Sequence, residues 1–208
     1  MHHSSLVGLT RARSTVRTLT QHEELPLLRD HLLRLDRASR YDRFRGFIKD
    51  SFIEHYAEKC ANDSTIVIAY VEDSVVRGAA ELHPPESPDC LPEIALSVEA
   101  PARRRGVGSF LFRQLIAEAR SKGYRKLRIT TGAQNVAMRA LAHKFGAHLT
   151  FGQGESTGTI DVINQDQPES ASVPLGFAST FAAARAIEAF NRAYWRMLFK
   201  MYGWGRTA

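Results

Sequence analysis

The chain has 208 residues, of which 44% are hydrophobic and 24% charged, and its formal net charge at pH 7 is +6. This composition is typical of a soluble globular protein with one substantial core, and it excludes a chain that is disordered throughout. No apolar stretch approaches the roughly 20 residues of a transmembrane helix, and the N-terminus is not that of a signal peptide. The basic charge favours acidic ligands, which include both phosphate-bearing cofactors and nucleic acids.

Hydrophobic periodicity predicts an alternation of strands and helices along most of the chain. We expect strands at 14–20, 65–71, 75–82, 93–98, 126–131, 148–151 and 157–163, and helices at 23–36, 44–59, 135–145 and from 107 to the stop signals at 121–123. The strands at 65–71 and 75–82 read as a hairpin, because a three-residue turn separates them. This order of elements predicts a mixed α+β fold.

The chain divides into four predicted segments. These are an N-terminal extension at 1–13, one folded domain at 14–163, a polar linker at 164–173 and an amphipathic helix at 174–208. The last helix gathers apolar residues such as Phe190 and Tyr194 on one side and arginines on the other, so it needs a partner surface. Its own core or a second subunit, giving a homodimer, is the first expectation, and a membrane surface is the weaker one.

The two cysteines, Cys60 and Cys90, lack the spacing of metal ligands. A zinc site and a disulfide framework are therefore without support, and we expect no metal. A reducing compartment, the cytoplasm, fits this cysteine usage best.

One hexapeptide joins the apolar run at 93–98 to an amphipathic helical pattern. It consists of Arg103, Arg104, Arg105, Gly106, Val107 and Gly108. Two glycines at a helix start expose main-chain N–H groups, and the helix dipole adds positive potential at the same place. Leu111 stands where a dinucleotide fingerprint needs its third glycine, and no Lys-Ser/Thr pair makes a P-loop. The hexapeptide predicts a phosphate site of another kind, or else a basic helix start that merely faces solvent.

Two motifs occur together between residues 93 and 147. The first is Arg103-x-x-Gly106-x-Gly108, and the second is Asn135-x-x-Met138-x-x-Leu141-Ala142-x-Lys144-x-Gly146-Ala147. Together they resemble the two signature regions of the GNAT superfamily of acetyl-CoA-dependent N-acyltransferases, and the pattern of elements over 14–163 is similar to that family's. The resemblance implies a mostly antiparallel central sheet with splayed fourth and fifth strands, flanked by helices.

The resemblance also implies a donor site for acetyl-CoA. The CoA pyrophosphate would lie on the hexapeptide Arg103 to Gly108, and the pantetheine arm and thioester carbonyl would meet main-chain groups at Ser97 and Val98. Asn135 would contact the cofactor, although its side chain is also suited to capping its own helix.

For the chemistry, the resemblance points to Glu93, ten residues before Arg103, as the base that deprotonates the amine directly or through water. The alternative is that Glu93 simply ends a strand at the rim of the sheet. Many family members place a tyrosine, as general acid, where this chain has Ala142, and His143 points about 100° away around the helix. Members similar to bacterial protein-lysine acetyltransferases share the Leu-Ala pair, so activity is still expected.

The function expected from these features is transfer of an acetyl group to an amine, either a small molecule or a protein lysine or N-terminus. The segment 43–47 lies where the family shapes its acceptor site. A second interpretation is a CoA-sensing or interaction module that has lost its chemistry. Nucleic-acid binding through Arg103, Arg104 and Arg105 is the least supported interpretation, because no aromatic residues for base stacking lie among them.

Overall fold

A computed structural model describes residues 14–19, 24–152 and 154–163. The strands are β1 (Ser14–Leu19), β2 (Ile66–Glu72), β3 (Val75–His83), β4 (Glu93–Val98), β5 (Lys126–Gly132), β6 (His148–Gly152) and β7 (Glu155–Asp161), and the helices are α1 (Leu25–Arg34), α2 (Arg37–Phe44), α3 (Asp50–Asn62), α4 (Val107–Ser121) and α5 (Val136–Lys144). The predicted extension at 1–13, linker at 164–173 and C-terminal helix at 174–208 lie outside the described residues. No described helix is both long and apolar enough to cross a membrane.

The strands form one sheet in the order β1-β2-β3-β4-β5-β7-β6. Every neighbouring pair is antiparallel except β4 and β5, which are parallel. These two strands pair only at Glu93 with Arg128 and at Ile94 with Ile129, and beyond that point they diverge. The predicted mixed α+β fold with splayed fourth and fifth strands is therefore confirmed, and the splay opens a cleft in the middle of the sheet.

Each face of the sheet has its own hydrophobic core. On one face α4 contributes fully buried residues such as Leu111, Phe112 and Leu115. On the other face α1 and α3 contribute Leu28, Leu32 and Ile53. Full burial of such a side chain stabilises the fold by about 1.5–3 kcal/mol, so both cores hold the strands that border the cleft.

The helices before β2 differ from the prediction. The periodic pattern predicted two helices there, at 23–36 and 44–59, whereas the chain forms three. Asp36 does not end the first helix but caps α2, because its carboxylate accepts the Ser39 N–H at 2.8 Å. Arg45 then ends α2 with φ 56°, and α3 begins only at Asp50. Phe47, expected on an apolar helix face, lies in the connecting loop with 68% of its surface exposed.

Candidate active site

The turn between β4 and α4 contains one glycine that its backbone requires. Gly106 has φ 81°, in the left-handed region, and a Cβ added there would meet nothing within 4 Å. The requirement is therefore conformational and not a matter of packing. Gly108 is different, since an added Cβ would lie 3.8 Å from side-chain atoms of Leu96 and Leu141, an ordinary van der Waals distance.

The N-terminus of α4 has no side-chain cap among the residues that the structure describes. Gly106 is its N-cap and offers no side chain to cap it, and the first turn carries no acidic residue. The first N–H groups of a helix have no partner within the helix, and the dipole makes this end positive. The start of this 15-residue helix is therefore suited to a phosphate group.

The three arginines of the turn have different surroundings. Arg103 donates from Nε to the Val98 carbonyl at 2.9 Å and pairs with Asp36 at 3.2 Å. Arg105 forms an ion pair with Glu72, and its guanidinium lowers the pKa of that carboxyl. Arg104 has φ 59° and is exposed, and its side chain has no hydrogen bond or ion pair to any residue that the structure describes. Arg104 is thus the arginine whose charge is most available to a ligand.

Main-chain groups of β4 line the edge of the cleft. The Glu99 N–H donates to the Arg77 carbonyl at 2.8 Å, toward β3, and the Arg128 N–H donates to the Pro92 carbonyl at 2.8 Å, toward β5. Because hydrogen-bonding directions alternate along a strand, the N–H groups of Leu96 and Val98 point toward the cleft. The N–H of Ser97 points toward β3.

The side chain of Ser97 belongs to a buried network that we call the Glu99 network. His31, fully buried, lies between Ser97 Oγ at 2.9 Å and Glu99 Oε1 at 3.1 Å. Arg34 and Arg77 donate to the same carboxylate, at 2.9 and 2.8 Å. Burial by itself would raise the pKa of Glu99, but hydrogen bonds from His31 and Arg77 and the charge of Arg34 outweigh it and lower this pKa to about 2. The hydrogen bonds of this network connect α1 to β3 and β4.

Glu93, the predicted base, lies at the start of β4, where the splay begins. Its Oε2 accepts from Arg128 Nη2 at 2.9 Å, and about a quarter of its side chain is exposed. Across the β3–β4 ladder it lies opposite His83. The carboxylate is thus at the rim of the cleft and is held by an arginine from β5.

A second buried carboxylate, that of Glu81, lies on the same face of the sheet. It is on β3, two residues before His83. Its Oε2 accepts from Arg43 at 2.8 Å and from the Tyr56 hydroxyl, and the same hydroxyl is 3.0 Å from His83 Nε2. We call these four residues the Glu81 network. Glu81 is fully buried, yet its Oε1 has no hydrogen-bond partner among the residues described.

Electrostatics in the Glu81 network favour a negative carboxylate. Burial would raise the pKa of Glu81, but the Arg43 charge and the neighbouring His83 and Tyr56 outweigh it, so this pKa is lowered. Burial first, and then the Glu81 charge, raises the pKa of the nearby Cys60 thiol to about 12. Within the described ranges no group of three or more His, Cys, Asp or Glu side chains is arranged to hold a metal ion.

Residues 30–147, more than half of the chain, match the sequence model of the acetyltransferase (GNAT) family. The chain belongs to this family. A comparison with curated proteins finds no match. Many solved structures share its fold.

Three of these structures cover most of the GNAT domain. The GNAT domain of S. lividans PAT is 20% identical with a TM-score of 0.60, over 72% of this chain and 90% of that one. An N-acetyltransferase from Staphylococcus aureus Mu50 is 21% identical with a TM-score of 0.55, over 72% and 99%. Salmonella typhimurium yncA, solved with its cofactor acetyl-CoA, is 19% identical with a TM-score of 0.56, over 79% and 99%. At these identities the likeness shows the fold alone.

The second GNAT motif forms α5. Asn135 caps this helix, because its Oδ1 accepts the Met138 N–H at 3.0 Å. The predicted capping role is therefore confirmed, and the cofactor contact of Asn135 stays a prediction. Ala142, at the position where many GNAT enzymes have a tyrosine, is fully buried in the core, and His143 is exposed.

Sequence reasoning missed both carboxylate networks. His31 and Glu99 are 68 positions apart, and no local pattern joins them. Two weaker signals were present in the sequence: a histidine on the leucine face of α1, and Glu81 within the apolar run of β3. A charged or polar residue on a face that must be buried implies a partner there.

Proposed function

We propose that this GNAT protein is an N-acetyltransferase that transfers the acetyl group of acetyl-CoA directly to an amine, with donor and acceptor bound together. The observation that carries the proposal is the uncapped start of α4 beside the open edge of β4. A helix start suited to an anion and the main-chain donors of β4 adjoin one cleft there, which supports a CoA thioester as the ligand.

The donor would lie along β4 with its pyrophosphate at the turn. The N–H groups of Val107 and Gly108 would bind phosphate oxygens after the bend at Gly106, and Arg104 would add charge. The Val98 N–H, which points toward the cleft, would bind the thioester oxygen. Ser97, Arg103 and Arg105 would hold the strand and the turn in place through their bonds to His31, Asp36 and Glu72.

Transfer requires three changes at the reacting atoms. The acceptor ammonium loses one proton, for which Glu93 at the rim of the cleft is the candidate acceptor, directly or through water. The amine nitrogen then bonds to the thioester carbon while negative charge develops on the oxygen, and one well-placed donor such as the Val98 N–H is worth about 3 kcal/mol in the transition state. The carbon–sulfur bond breaks, and the thiolate takes a second proton from the nitrogen.

The acceptor would approach on the face of α1, α2 and α3. Arg45, at the end of α2, forms an ion pair with Glu155 at 2.7 Å and so links the α2–α3 loop to the start of β7. Phe47 is exposed on that loop, with the Arg37 guanidinium 4.8 Å above its ring. An exposed rim of this kind would leave room for a small amine or for a lysine or N-terminus presented by a protein.

Release of the CoA thiol tests this function. The protein is incubated with acetyl-CoA and a panel of amines and peptides, and free thiol is measured with and without each acceptor. We expect at least one acceptor to raise thiol release above hydrolysis and to gain an acetyl group by mass spectrometry. Tight acetyl-CoA binding with no acceptor-dependent release would favour the second candidate, a CoA-binding sensor, which Ala142 at the usual tyrosine position also favours.

A further inference from the structure

His83 is the partly exposed end of the Glu81 network. Its side chain is 26% exposed, whereas Glu81 is completely buried. It lies directly opposite Glu93 in the β3–β4 register, and side chains in such positions have Cβ atoms about 5 Å apart. His83 therefore lies at the point of the splay, beside the carboxylate already placed at the cleft.

The contacts of the His83 ring are compatible with a free lone pair on Nδ1. Tyr56 donates its hydroxyl hydrogen to Glu81 Oε2, and its oxygen accepts from Arg43 Nη2 and is 3.0 Å from His83 Nε2. In the tautomer that donates from Nε2 to this oxygen, the lone pair of the neutral ring is on Nδ1. The Nδ1 atom is 3.3 Å from Thr65 Oγ1, a long hydrogen bond that an incoming amine or water can replace.

Two carboxylates and two arginines lie around His83. Glu81 Oε2 is 3.6 Å from Nε2, and Glu93 is the neighbour from β4. Arg43 from α2 and Arg128 from β5 are each paired with one of those carboxylates, at 2.8 and 2.9 Å.

The helix above the ring adds two more titratable groups. Tyr56 and Cys60 on α3 both face the Glu81 network, and burial raises the pKa of each of them, so both are neutral near pH 7. They therefore add no charge to the surroundings of His83.

We propose that His83 is a further catalytic residue of the acceptor site, which accepts the amine proton at Nδ1 together with Glu93, and that Glu81 and Tyr56 position its ring. The inference rests on the proposed acetyl transfer. Of the three ammonium protons, one passes to His83 and then to solvent, one stays on the amide nitrogen, and one goes to the CoA thiolate as the carbon–sulfur bond breaks. Glu93, whose Oε2 is held by Arg128, shares in accepting this proton.

The test is the pH profile of kcat/KM for acetyl transfer by wild type and His83→Gln, with His55→Gln as the matched control. His55 is an exposed histidine of α3, next in sequence to Tyr56. We expect His83→Gln to lower kcat about 100-fold at pH 7, as loss of a general base does, and to remove the acidic limb of the profile. Binding of acetyl-CoA, measured by calorimetry, stays unchanged, and His55→Gln behaves as wild type.

A second variant separates chemistry from structure. His83→Ala should regain part of its rate when free imidazole is added, which a purely structural histidine would not allow. The inference about His83 is overturned if the pH profile of His83→Gln keeps its acidic limb and only Glu93→Gln loses it. In that case the proposed acetyl transfer stands. If wild type releases no thiol to any acceptor, both the proposed function and this inference are overturned.

Discussion

Two buried carboxylates on the same face of the sheet, Glu99 and Glu81, are surrounded in different ways. Glu99 accepts from His31, Arg34 and Arg77, and both of its oxygens have partners. Glu81 concentrates its hydrogen bonds on Oε2 and leaves Oε1 without a partner in the described structure. The histidine of the Glu99 network, His31, is fully buried, whereas the histidine of the Glu81 network, His83, is partly exposed.

This difference separates a structural role from a chemical one. A buried carboxylate with every oxygen satisfied fixes the elements around it, and here it fastens α1 to the strand that borders the cleft. A buried carboxylate with a spare oxygen and an accessible histidine can stabilise a changing charge. Substitutions in the Glu99 network should therefore change the free energy of unfolding, and substitutions in the Glu81 network should change the rate of acetyl transfer.

The largest expected effect is on stability. Glu99→Ala would leave His31, Arg34 and Arg77 without their carboxylate, and breaking such a buried ion pair costs about 3–5 kcal/mol in the free energy of unfolding. Urea denaturation monitored by circular dichroism measures this. The control is Glu72→Gln, which removes the charge that pairs with the exposed Arg105 and should leave unfolding nearly unchanged. Equal stability of the two variants would contradict the structural role of the Glu99 network.

The pH dependence of stability gives the next effect. The pKa of Glu99 is about 2 in the folded protein and about 4.3 when unfolded, so its contribution is present above pH 5 and is lost as pH falls toward 2. The difference corresponds to about 3 kcal/mol. Unfolding free energies from pH 7 to pH 3 should therefore fall more steeply in wild type than in Glu99→Gln, and identical slopes would contradict the assignment.

The next effect is on the rate of the reaction. Glu93→Gln should slow acetyl transfer about 100-fold, as expected for loss of a proton acceptor. Arg128 would keep a neutral partner of the same shape, so the melting temperature should change little. Steady-state thiol release across pH measures the effect. An unchanged rate and profile would remove Glu93 from the chemistry.

The smallest effect compares two glycines with matched backbones. Gly106 and Gly123 have φ of 81° and 79°, and an added Cβ has open space at both. Alanine at either position should cost about 1–2 kcal/mol of stability, because L-residues avoid this conformation. Only Gly106→Ala should also weaken acetyl-CoA binding, about tenfold, which corresponds to 1.4 kcal/mol. Equal binding by the two variants would remove the turn from the donor site.

Short sequence patterns correctly predicted the elements that depend on residues close together in the chain. The strand β4, the turn at Gly106 and α4 follow from an apolar run, a glycine and a helical period over a short stretch of chain. The helix α2 was missed because the carboxylate of Asp36, interpreted as a helix end, caps the next helix instead. The two networks join residues from distant strands and helices, and such contacts arise only when the helices pack on the sheet.

The most direct test of the division between the two networks is acceptor-dependent thiol release by Glu99→Gln and Tyr56→Phe, measured where both variants are fully folded. The account predicts that Glu99→Gln loses stability but transfers at the wild-type rate. Tyr56→Phe should keep most of its stability but transfer at least about tenfold more slowly, because His83 loses the hydroxyl that orients it. The reverse pattern, a slow Glu99→Gln and a fully active Tyr56→Phe, would contradict it.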